Sequence, residues 1–156
     1  TEVIGAYGPL PDDYLVFCIE RCPYRKVISW ANMHLSLKKY RGGGEMKADP
    51  RALPDFLDSQ LDGLGFADVL NIGKYKLPDG QLGVKTIVRY EHLHDDFAAL
   101  KARLGLPTSL ELPHAKKGLM SNNLDLRNIL APRHIARINE LFEEEFAAFG
   151  YEKLTP

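Results

Sequence analysis

Residues 14–29 read YLVFCIERCPYRKVIS, and the fold turns on how this stretch divides. Tyr14 to Ile19 is an almost unbroken apolar run, which predicts a strand buried on both faces, as in a parallel sheet. Glu20, Arg21 and Cys22 follow, then Pro23, which suits a first helical position because its missing N–H is no loss there. Tyr24, Val27, Ile28, Ala31 and Leu35 then recur at helical spacing, the mark of one buried helix face. The expected order is strand, sharp turn, helix. Ligands of open α/β sheets bind beyond the carboxyl ends of the strands, where such turns lie. Arg21 stands in the turn, and Ser29 lies about two turns into the helix. A guanidinium and a hydroxyl beside a helix start can grip a phosphate. A surface arginine and a solvated helix serine are the plainer reading of the same pattern.

The chain has 156 residues, enough for a single domain, 1–156, with a real core. It is 45% hydrophobic and 26% charged with a net charge of −1. No global field draws it to nucleic acid or to an acidic membrane, so an anionic ligand needs a local basic cluster. No apolar run approaches membrane-spanning length and no signal peptide is visible. The two cysteines, Cys18 and Cys22, make a poor disulfide and too few ligands for zinc. No metal is expected, and a reducing, cytoplasmic compartment is the simplest assignment.

Further along, Lys38 to Asp49 contains Gly42, Gly43 and Gly44 among charges and predicts a surface loop. Asp49 and Pro50 start a helix carrying Leu53, Phe56, Leu57 and Leu61 on one face, ended by Gly63 and Gly65. Residues 66–76 are ambiguous, with a short strand the favoured reading. Pro78, Asp79 and Gly80 signal a turn, and Gly83 to Tyr90 reads as a second strand. A helix follows from His94, with Leu93, Phe97, Leu100 and Leu104 on a face and a Gly105–Pro107 stop. Thr108 to Leu130 reads as loop. One last helix starts at Pro132, with Ile135, Ile138, Phe142, Phe146 and Phe149 as its apolar stripe and Gly150 at its end.

Four segments resemble the sulfotransferases, particularly the carbohydrate branch. RCPYRKVIS (21–29) is similar to the family's R-N-P-Y-x-R-hydrophobic-hydrophobic-S segment, with Cys22 in place of Asn or Asp and Lys26 where a second Arg is common. VRYEHLHDDFAALKARLGLP resembles R-[YF]-E-x-L-x-x-D-F. Leu112 to Gly118 (LPHAKKG) resembles L-P-H-x-N-[KR]-S, with Lys116 replacing Asn and Gly118 replacing Ser. EEFAAFGYEKL resembles the family's D-F-x-x-F-G-Y-E ending.

The resemblance implies an α/β, parallel-sheet, P-loop-NTPase-like sulfotransferase fold, of which this chain looks like the C-terminal portion, missing its first strand-loop-helix unit. It implies transfer of a sulfuryl group from 3′-phosphoadenosine 5′-phosphosulfate (PAPS) to a hydroxyl, with a carbohydrate as the acceptor. Arg21 and Ser29 would hold the 3′-phosphate, Lys117 and less directly Lys116 would join them, and Tyr90 would lie near the adenine. The family's P-K-x-G-x-[TS]-[ST] loop finds no match in Thr1 to Asp13, so the catalytic lysine has no position here. Five histidines, among them His34, qualify for the general base by residue type alone. A non-catalytic nucleotide-binding or interaction module derived from the same fold is the alternative. A sheet lacking one strand exposes an edge, which predicts pairing with a second copy or with a missing N-terminal segment.

Overall fold

The computed structural model describes residues 11, 14–43, 49–62, 65–112 and 125–156. In chain order the elements are β1 (Phe17–Glu20), α1 (Pro23–Arg41), α2 (Leu53–Ser59), α3 (Ile72–Tyr75), β2 (Thr86–Arg89), α4 (Leu93–Leu104), α5 (Pro132–Leu141) and α6 (Glu143–Phe149), with 3-10 turns at Pro50–Ala52, Gly65–Val69, Tyr90–His92 and Leu126–Asn128. Among the described residues the class is α/β, with one two-stranded parallel sheet. None of these helices is long and apolar enough to cross a membrane. The chain divides into two compact units, Thr1–Arg21 with Asn71–Leu110, and Cys22–Leu70 with Glu111–Pro156.

The first unit holds the sheet. Phe17 pairs with Thr86, Cys18 with Ile87, Ile19 with Val88 and Glu20 with Arg89. The strand is shorter than the apolar run that predicts it, and it is not buried on both faces. Cys18 and Glu20 are buried, whereas Phe17 and Ile19 are 42% and 44% exposed. Burial of both faces needs a covering layer on each side, and α4 packs on β2. The turn at Pro78–Gly80 forms as expected: Leu77 N–H donates to Gln81 O at 2.8 Å and Gly80 takes φ +83°. Lys76 and Leu82 make a single antiparallel bridge across it. Residues 66–76 are otherwise helical turns rather than a strand. α4 ends where Gly105 adopts φ +63°, and Leu106 N–H returns to Lys101 O at 3.0 Å, the left-handed stop that glycine favours.

The second unit is built on α1. Tyr24, Val27, Ile28 and Ala31 are all buried, as their spacing predicts, and Trp30 joins them. They form one apolar cluster with Leu53, Leu57, Phe66, Leu130, Ile135, Ile138, Phe142 and Phe146. α1 packs against α2, the Gly65–Val69 turn and α5. It runs on to Arg41, past the loop start expected near Lys38, and Gly43 at φ +83° follows. Basic residues suit a helix carboxyl end, and Arg41 closes this one. Asp49 caps the turn before α2 by accepting Arg51 N–H at 3.0 Å. The single last helix of the sequence reading is two helices, broken at Phe142 (φ −103°, ψ 18°). The stripe survives the break: Ile135, Ile138, Phe142, Phe146 and Phe149 are all buried.

Three polar clasps fasten this unit. The Tyr24 hydroxyl accepts Leu154 N–H at 2.7 Å and donates to Asn139 Oδ1, and the Asn139 amide donates to Leu154 O at 2.9 Å. Burial pushes the Tyr24 phenol above its ordinary pKa. Lys26 Nζ on α1 meets Glu145 Oε2 on α6 at 2.7 Å, with side-chain exposures of 10% and 0%.

The third clasp joins α2 to α5. Arg133 grips Asp58 with two N–H groups, at 2.6 and 2.5 Å. His134, fully buried, accepts Ala131 N–H at Nδ1 (3.1 Å), so the proton sits on Nε2 and is donated to Asp58 Oδ1 at 2.8 Å. Arg133 chiefly, with His134 behind it, lowers the Asp58 pKa from 3.8 to about 2. A depressed carboxylate adds stability that is whole above the unfolded value and fades as pH falls through the folded one. Asp58→Asn is therefore expected to lower the urea midpoint most at pH 5 and above, with the gap to the parent protein closing as pH approaches 2. A gap that stays constant over that range overturns the assignment.

Candidate functional site

The carboxyl ends of β1 and β2 bring together the polar groups of the first unit. Because Glu20 pairs with Arg89 in parallel register, the next residues, Arg21 and Tyr90, leave the sheet side by side. The Arg21 guanidinium carbon lies over the Tyr90 ring, 4.5 Å from its centroid. That is a cation–π contact, worth about 0.5–2 kcal/mol depending on how dry it is. Arg21 Nε is buried and has no hydrogen-bond partner among the described residues. Buried donors are rarely left without an acceptor, so this nitrogen stands out among the described residues. Tyr90 is 45% exposed, which leaves aromatic surface for a ligand.

Behind this pair sits a buried carboxylate. Glu20 is 2% exposed. Its Oε1 accepts the Tyr75 hydroxyl at 2.6 Å and the Asn71 amide at 2.9 Å, and its Oε2 accepts Arg21 N–H at 3.3 Å. Gly83 N–H in turn donates to Tyr75 O at 2.8 Å. A Cβ at Gly83 would stand 2.8 Å from Leu77 Cδ2, the end of a flexible side chain, and 3.2 Å from Tyr75 O, so a larger residue would fit only if both gave way slightly. The opening turn of α4 is not the anion site of this edge. Asp96 Oδ2 there accepts Arg89 N–H at 2.7 Å, and Asp95 adds a second negative charge.

Arg21 and Tyr90 are thus the two expected binding residues that the structure brings together. Ser29 lies in the second unit, half-buried on α1. Lys116 and Lys117 fall outside the described residues, as does His114. Lys26, at the position of the common second Arg, is committed to Glu145.

No family model matches the chain, and no solved structure matches it. An uncharacterized protein of Archaeoglobus fulgidus is 31% identical to it over 103 residues, which are 65% of this chain and 76% of the archaeal one. The chain belongs to the family of that archaeal protein. Membership in this family leaves the chemistry of the strand-end cluster to be read from its own residues.

Among the histidines, His34 is exposed on α1 and donates from Nδ1 to Trp30 O at 3.0 Å, which leaves Nε2 as the ring's acceptor. Its ring also stacks near Trp30 and Phe56. His92 and His94 are exposed, and His134 serves the Asp58 clasp. Sequence reasoning passed over Glu20, Asn71 and Tyr75. A charge closing an apolar strand run was the available signal for Glu20. Nothing in residues 71–75 announced the other two.

Proposed function

We propose that this protein is a sulfotransferase of the P-loop-NTPase-like fold that moves a sulfuryl group from PAPS to a hydroxyl, with a carbohydrate as acceptor. One observation carries the reading: the Arg21 guanidinium lies over Tyr90 with a buried Nε that lacks an acceptor. The donor set fits a phosphate. A guanidinium presents parallel N–H groups to two phosphate oxygens, and contact with an aromatic ring restrains where it sits. PAPS would supply the activated sulfuryl group. Arg21 would bind the 3′-phosphate, and the exposed part of the Tyr90 ring would meet the purine.

Titration calorimetry of the protein with adenosine 3′,5′-bisphosphate tests the binding half of the proposal. Saturable heat at one site per chain is expected. Transfer of labelled sulfate from PAPS to pooled glycans tests the chemistry. Binding without transfer reduces the protein to a nucleotide-binding module, and no binding at millimolar nucleotide removes both readings.

A further inference from the structure

Glu20 presents a puzzle of cost. A carboxylate in a nearly dry position is expensive unless hydrogen bonds compensate it, and an apolar side chain would fill a strand end without that cost. The chain instead directs groups from two separate segments to it: the Tyr75 hydroxyl and Asn71 amide from one, the Arg21 backbone N–H from the other. The bond to Arg21 N–H falls on the peptide from which the guanidinium side chain departs. The bonds to Tyr75 and Asn71 hold the carboxylate still. Tyr75 is itself tied to Gly83, whose N–H donates to Tyr75 O at 2.8 Å.

We propose that Glu20 is a positioning residue for the nucleotide phosphate: with Tyr75 and Asn71 it fixes the backbone of Arg21, so that the guanidinium is held over Tyr90 for the phosphate. This rests on the nucleotide reading given above and adds to it the group that sets phosphate discrimination. Geometry of about half an ångström decides whether a charged fork makes both of its bonds, so an unpinned Arg21 keeps its charge and loses its aim.

The test compares two ligands that differ by one phosphate, adenosine 3′,5′-bisphosphate and adenosine 5′-monophosphate, on the full chain and two variants. Glu20→Gln retains an oxygen for Tyr75 and Asn71 but turns an NH2 group against Arg21 N–H. Tyr75→Phe removes one anchor of the carboxylate with little change of volume. Glu20→Gln is expected to weaken the bisphosphate by about tenfold, the worth of one misdirected charge-assisted bond, and Tyr75→Phe by less. The monophosphate is expected to change by under threefold in both. Thermal midpoints recorded alongside report folding, and Tyr75→Phe remains informative if Glu20→Gln fails to fold. Parallel losses for both ligands, or unchanged discrimination in a folded variant, overturn the role of Glu20 while leaving the nucleotide reading in place. If the parent protein binds neither ligand, the nucleotide reading itself falls and takes this inference with it.

Discussion

Arg21→Ala is expected to weaken adenosine 3′,5′-bisphosphate by at least about a hundredfold, with the thermal midpoint shifting only slightly. Hydrogen bonds to charged groups contribute about 1.5–3 kcal/mol each, and two made by one fork exceed the roughly 2.8 kcal/mol that a hundredfold represents. The structural cost is small by comparison, because among the described residues the Arg21 side chain makes a cation–π contact with a ring that is already 45% exposed. Arg21→Lys is expected to recover little. An ammonium neither lies flat on Tyr90 nor offers two parallel N–H groups. Calorimetric titration checks both variants, and bisphosphate affinity within threefold of the parent in Arg21→Ala would sink the assignment.

Lys26→Met is expected to lower the stability of the second unit by about 3–5 kcal/mol, the usual loss when one member of a buried ion pair is removed. Glu145 is fully buried, and its Oε2 takes Lys26 Nζ at 2.7 Å. Phe142 lies beneath the same ammonium, 5.9 Å from ring centroid to Nζ. Taking away the cation leaves a carboxylate in a dry site without this counter-charge. Replacing both residues, Lys26→Met with Glu145→Met, is expected to return most of the loss, because the desolvation cost of the pair disappears with its attraction. Trp30, the sole tryptophan, lies in the same apolar cluster, so its fluorescence during urea unfolding reads this unit directly. A double variant no more stable than Lys26→Met would show that the site needs charge for another reason.

The sequence made some of this plain and hid the rest for definable reasons. Helical spacing found Tyr24, Val27, Ile28 and Ala31 because burial on one side of a helix writes itself every three or four residues. The caps at Asp49 and Gly105 were legible because turn chemistry is local. The extent of β1 was not. An apolar run shows that water is disfavoured, but which neighbours cover each face depends on strands and helices far along the chain. Residues 66–76 misled because Phe66 is buried through 3-10 geometry, which has no strong periodic mark. Phe142 breaks the last helix without a Gly or Pro to signal it. At the candidate site, Arg21 and Tyr90 were named from motif resemblance, and their contact follows from strand register. Glu20, Tyr75 and Asn71 converge through tertiary placement alone.

The parallel pairing of β1 with β2 also constrains biosynthesis. Phe17 and Thr86 are register partners, so the first strand leaves the ribosome well before its neighbour has been translated. At about 5–20 residues per second the delay is roughly 3–14 s. Throughout that interval the nascent Tyr14–Ile19 segment, apolar and carrying no charge or proline of its own, lacks its β2 partner. An apolar segment waiting in this way is a natural hold for a ribosome-associated chaperone.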